Sequence, residues 1–156
     1  MDKVRGFEVV DKEYRKTDGR VTVKLPKRAT KHSAGYDFYT PIAFTLKPHG
    51  TIIIPTDVKA YMQDDEVLKL YIRSSIAIKR GVKLSNTPII DSDYHNNPDN
   101  DGNILLSFTN TTKNTVRFKK GERIAQGIFV KYLVADDDNV ETERYGGIGS
   151  SNKGDE

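Results

Sequence analysis

Residues 103–134 read NILLSFTNTTKNTVRFKKGERIAQGIFVKYLV. Three short runs, 103–110, 115–121 and 123–134, are rich in β-branched, aromatic and other apolar residues, and polar clusters and a glycine cut them apart. Runs of that length and composition, punctuated in that way, predict strands joined by tight turns. Outward from this stretch the pattern recurs in VTVKL at 21–25, GTIIIPT at 50–56 and EVLKLYI at 66–72. Helical periodicity is weak. Its best candidate is a turn or two at SSIAIKRG, with Ser74 or Ser75 capping the start and Gly81 the end. The expectation is an all-β domain, mostly antiparallel, forming a sandwich or barrel with at most one short helix.

Composition narrows the function classes. A chain of 156 residues with 36% hydrophobic and 30% charged content has the size and balance of one soluble globular domain. With no cysteine, disulfide scaffolds, thiolate metal sites and cysteine nucleophiles are excluded. The start, MDKVRGFEVVDKEYRK, is charged throughout and lacks the apolar core of a signal peptide, and no run approaches a membrane span, so a cytoplasmic protein is expected. The formal charge of +3 is too slight for a dedicated nucleic-acid binder, and no direct nucleic-acid binding is expected. A basic stretch between Tyr14 and His32 and an acidic one from Asp136 to Glu143 read as solvated faces.

Five segments carry possible chemistry. SAGYDFYT at 33–40 is a small-residue turn with an aspartate, on its own an ordinary β-turn. In IRSSIAIKRG, Arg73 precedes two hydroxyls where a strand enters the helix, which suits either a phosphate cradle or a plain N-cap. PIIDSDYHNNPDNDGN at 88–103 drives an apolar strand straight into two carboxylates. On a strand Asp91 and Asp93 share a face, and like charges there repel unless a cation, a water or a substrate proton separates them. A calcium-loop pattern runs from Asn97 to Gly102, but Phe108 stands where the chelating glutamate belongs. GERIAQGIFV at 121–130 reads mainly as a turn and a buried strand carrying Arg123 and Gln126. ERYGGIGSSN at 143–152 is too polar and glycine-rich to pack on a core by itself, yet its exposed amides beside Arg144 could wrap a polyphosphate.

In their order along the chain, AGYD, RSS, IIDSDY, GERIAQ and GGIGSS resemble the five motifs of the trimeric dUTPases, of the Gram-positive bacterial or phage type. The resemblance implies a jelly-roll-like β fold and a homotrimer with active sites at subunit junctions. It also implies hydrolysis of dUTP to dUMP and pyrophosphate with Mg²⁺, keeping uracil out of DNA and supplying dUMP for thymidylate synthesis. It divides the chain into one β domain, 1–142, and a flexible glycine-rich arm, 143–156, that closes over an active site.

The resemblance also implies roles. Asp91 matches the aspartate that activates the attacking water, and Tyr94 the tyrosine that packs on the deoxyribose and excludes a 2′-hydroxyl. Asn86 falls where the family reads uracil, and Ile148 where its arm generally stacks a phenylalanine on the base, so weaker stacking is expected. Arg73, Ser74, Ser75, Gln126, Arg144, Gly149, Ser150 and Ser151 match phosphate contacts, and Asp37 the aspartate that meets the metal through water. Two features depart from the family pattern: HNNPDND is inserted after Tyr94, which predicts a surface loop beside the pocket, and the hairpin between Asn86 and Asp91 is one residue shorter. The alternatives are a dCTP deaminase of the same fold, or a dUTPase-like module that binds a regulatory protein partner.

Overall fold

The computed structural model describes residues 2–148. Within them the strands are β1 (Gly6–Val9), β2 (Lys27–Arg28), β3 (Tyr36–Tyr39), β4 (Phe44–Leu46), β5 (Thr51–Pro55), β6 (Val58–Tyr61), β7 (Glu66–Ile72), β8 (Val82–Leu84), β9 (Ile89–Asp91), β10 (Leu105–Asn110), β11 (Val116–Phe118) and β12 (Arg123–Lys131). One α-helix, α1 (Ser74–Arg80), and two single 3₁₀ turns complete the elements. Every strand pairing is antiparallel. The largest sheet runs β2-β3-β12-β7-β9, and β5-β10-β8, β1-β6 and β11-β4 close around it. No helix among the described residues is long and apolar enough to cross a membrane.

Alternation along the strands builds one core. In β10, Leu106 and Phe108 are fully buried while Leu105, Ser107 and Thr109 face outward, the period of two that a half-buried strand requires. Phe38, Leu68, Ile104 and Ile124 join them at 0% exposure, and Phe44 stacks on Phe118 at 4.5 Å between ring centroids. β12 is the central strand: it pairs with β7 from Ala125 to Lys131 and with β3 from Arg123 to Gly127, with a register shift between Arg123 and Ala125.

Three expectations are corrected. VTVKL at 21–25 forms no strand, and only Lys27 and Arg28 in that region pair, with Tyr36 and Asp37. SAGYDFYT is not merely a turn, because Tyr36–Tyr39 is β3, held between β2 and β12. A β-branched run has strand propensity, but a strand needs a neighbour with free backbone groups, and tertiary pairing decides which run obtains one. At α1, Arg73 rather than Ser74 or Ser75 stands at the N-cap, in an extended conformation and without a side-chain cap bond. Gly81 ends the helix as expected, in the left-handed region at φ 66°.

A polar bolt ties the start of the chain to the end of the loop after β9. Asp57, fully buried and left-handed at φ 56°, accepts hydrogen bonds from the backbone of Lys16 and Thr17, the Thr17 hydroxyl and Asn103 Nδ2. Asn103 answers by accepting the Asp57 amide at 3.0 Å. Asp57→Asn keeps the shape and the backbone preference but sets donors against donors. It should destabilise the fold by about 2–4 kcal/mol, read as a lower urea midpoint at unchanged slope.

Candidate functional site

The proposed site residues fall into two clefts on one chain. The first, about 340 Å³, is lined by Asn86, Asp91, Tyr94, Arg144 and Ile148 together with the hairpin Thr87–Ile90 and Gly147. β9 delivers Asp91 at its last position, and the chain then turns through a 3₁₀ turn, Ser92–Tyr94. Asp91 and Asp93 therefore do not sit on a continuous strand as expected, yet the turn still brings them to one cation. Arg144 donates to Asp91 Oδ2 from Nη2 at 2.8 Å and to Asp93 Oδ1 from Nε at 2.7 Å, supplying the charge that two adjacent carboxylates need. Its guanidinium also lies 5.9 Å from the centre of the Tyr94 ring.

Tyr94 is buried, and its hydroxyl donates to the Asn103 carbonyl at 2.6 Å while accepting from Asn100 Nδ2 at 2.9 Å. Burial raises its phenol pKa, against the lowering effects of the Asn100 hydrogen bond and the Arg144 charge, so at neutral pH the group stays a protonated donor. Asn100 belongs to the inserted loop, which is no loose surface excursion. Asn97, Asp101 and Asn103 are all buried. The Asn97 side chain binds the Tyr94 carbonyl, the Asn100 side chain and the amides of Asp99 and Asn100. Gly102, at φ 91°, returns the chain so tightly that a Cβ there would stand 3.0 Å from the Tyr94 carbonyl oxygen. Asp101 is spoken for by Lys59 Nζ at 2.8 Å and the Asp11 amide at 2.9 Å.

The second cleft, about 270 Å³, gathers Asp37, Arg73, Ser74, Ser75 and Gln126 with Gly35 and Arg123. β3 and β12 set Asp37 opposite Gln126 in register, and Arg73 enters from the end of β7. Asp37 is flanked by two guanidiniums, Arg123 at 3.4 Å and Arg73 at 3.9 Å, so one carboxylate leaves the cleft with surplus positive charge. The sequence presents Arg123 as mainly structural, Asp99 as one position of the incomplete calcium-loop pattern and Asn100 as a loop residue. Their proximity to the clefts depends on long-range pairing that no local motif encodes. Gly149, Ser150 and Ser151 lie outside the described residues.

The two clefts share no lining residue. Asp91 sits opposite Val67 near the start of β7, whereas Arg73 follows its last residue. From 67 to 73 a strand advances roughly 20 Å.

Fold and clefts together define a small antiparallel β protein with one carboxylate-bearing cleft and one cationic cleft, and comparison with known proteins identifies its family. The dUTPase family model matches residues 22–154. The deoxyuridine 5'-triphosphate nucleotidohydrolase of Lactococcus lactis is 47% identical over 96% of this chain and 98% of its own, and that of Actinobacillus pleuropneumoniae is 35% identical over 87% and 93%. The crystal structure of dUTPase from Streptococcus mutans, 43% identical, matches with a TM-score of 0.73 over 84% of this chain and 98% of that one. The dUTPase of Staphylococcus bacteriophage 80alpha, at 23% identity and a TM-score of 0.70, shares the fold. The chain belongs to the dUTPase family.

One contact of the inserted loop, between His95 and β1, has a pH signature. Glu8 on β1 meets His95 Nε2 at 2.7 Å and Lys3 Nζ at 3.1 Å. Burial pushes its carboxyl up, but these two partners outweigh burial and hold it below the ordinary glutamate value. A depressed carboxylate contributes stability above its unfolded pKa and loses it as pH falls through the folded one. The tether should therefore persist through neutral and mildly acidic pH and release only on the acid side of ordinary glutamate titration. In Glu8→Gln this part of the acid denaturation limb should flatten, by less than about 1 kcal/mol because solvent screens the half-exposed pair.

Proposed function

We propose that the protein hydrolyses dUTP to dUMP and pyrophosphate in the cytoplasm, as a homotrimer whose active sites form between copies. Residues 1–142 are the β domain of that assembly and 143–156 its arm. Family membership supports the reaction. The observation that carries the assembly is the separation along β7, because a carboxylate roughly 20 Å from the phosphate cleft of its own chain cannot serve the same triphosphate. The Asp91 cleft of one copy must face the Arg73 cleft of another.

In this reading Asn86 and Ile148 border the base, and Tyr94, fixed by its two hydrogen bonds, presents its ring to the deoxyribose with no room for a 2′-hydroxyl. Arg73, Ser74, Ser75, Gln126 and Arg123 receive the phosphates. Arg144 leaves the Asp91 and Asp93 carboxylates for the more highly charged triphosphate, and Gly149, Ser150 and Ser151 follow it. Asp91 is then free to take a proton from the water that attacks the α-phosphorus in line.

The family implies Mg²⁺. No three His, Cys, Asp or Glu side chains among the described residues gather into a metal site, and the phosphate cleft offers Asp37 alone, already beside two arginines. That donor set fits an ion carried by the triphosphate oxygens and retaining its waters, with Asp37 as an indirect contact. When bound there, the ion neutralises phosphate charge.

Pyrophosphate release measured with dUTP, UTP, dTTP and dCTP tests the substrate. Only dUTP should turn over appreciably, and ammonia release from dCTP would replace this reading with deamination. Asp91→Asn should bind a non-hydrolysable dUTP analogue normally while its kcat falls roughly 10²- to 10⁴-fold. Mixing Asp91→Asn with Arg73→Ala, each nearly inactive, should recover part of the wild-type rate after subunit exchange. A mixture as inactive as its components would rule out sites shared between copies.

A further inference from the structure

We propose that the inserted loop from His95 to Gly102 is the seat on which the arm docks, with Asp99 and Asn100 as positioning residues for Gly147 and Tyr94. The inference rests on the reading of residues 143–148 as the start of an arm that closes over the nucleotide. Asp99 Oδ2 accepts the Gly147 amide at 3.3 Å, and Gly147 is buried at that contact although Asp99 itself is exposed. A Cβ on Gly147 would stand 2.8 Å from Asn100 Nδ2 and 3.0 Å from Asp99 Oδ2, so a side chain there would push both groups out of their present positions. The same Asn100 amide reaches the Tyr94 hydroxyl. One side chain thus touches both the arm and the residue assigned to the sugar.

A seat must be rigid before the arm arrives, and this one is. The Asn97 side chain staples the loop from within. From outside, Lys59, buried with its partner, binds both Asp101 and Asn96, and Glu8 binds His95. Asp99 and Asn100 project from that frame toward the arm, where Arg144, three residues before Gly147, spans Asp91 and Asp93. Docking at Gly147 fixes where the residues on either side of it can go.

The test compares Asp99→Ala, Asp99→Asn and Gly147→Ala in the full chain. Trypsin cleavage after Arg144, followed by intact mass in nucleotide-free protein, reports docking without any need for activity. Asp99→Ala and Gly147→Ala should each speed that cleavage roughly tenfold and raise KM for dUTP by a similar factor, with kcat changed less than about threefold. Asp99→Asn, which keeps an acceptor oxygen, should restore most of both. The Asp99→Ala/Gly147→Ala pair should add little to either single change, since both break one contact. Wild-type cleavage and KM in folded Asp99→Ala, or fully additive effects, would overturn the seat. Gly147→Ala lies outside the β core and serves if Asp99→Ala fails to fold. A wild-type protein that releases no pyrophosphate would instead remove the functional reading and leave the cleavage result standing.

Discussion

A strand cannot bring its own ends together, and β7 carries the consequences of that through the molecule. It pairs with β12 along its whole length and with β9 at its start, so the residue opposite Asp91 and the residue that leads into α1 are held apart by an extended backbone. Nothing in a packed sheet can shorten that distance without breaking the hydrogen-bonded ladder. The Asp91 cleft and the Arg73 cleft are each built on one chain and share no lining residue there. On the function proposed above, self-association is a requirement of the chemistry rather than an addition to it.

Buried polar residues hold the loop beside the Asp91 cleft in place. The loop after Tyr94 has hardly an apolar side chain, but Asn97, Asp101 and Asn103 are as inaccessible as core residues. Burial of that kind is tolerable only when every donor and acceptor has a partner, and among the described residues no buried side-chain polar atom lacks one. Asparagine serves well because it both donates and accepts: Asn97 donates to carbonyl oxygens and accepts amides at the same time, and Asn110 does likewise beneath β4. The loop is rigid because its hydrogen bonds are mutually dependent, and it supports Tyr94 as apolar packing would support a core residue.

Much of the fold was legible. The runs at 50–56, 66–72, 103–110, 115–121 and 123–134 all contain strands, because their apolar residues recur at the spacing that a one-sided sheet imposes. The two clefts contain the residues that the motif order singled out, from Asp37 to Arg144. What local sequence withheld was pairing and partnership. VTVKL has the composition of a strand and no neighbour, while YDFY looks like a turn and is clamped between two strands. The inserted loop looked solvent-loving because polarity was read as exposure, and the hydrogen bonds that bury it join residues 37 to 46 positions apart.

The register shift in β12 has a further effect on the cleft that holds Arg73 and Asp37. Successive side chains of a flat strand point to opposite faces, so residues three apart, such as Arg123 and Gln126, belong on different sides. Against Tyr39, Phe38 and Asp37 the strand sets Arg123, Ala125 and Gln126, and the surplus residue, Ile124, is buried next to an equally buried Ala125. That local stutter reverses the alternation once and swings Arg123 round to the wall that already holds Gln126. An irregularity of one residue, invisible as chemistry, thus turns a guanidinium from the outer surface into the cleft beside Asp37.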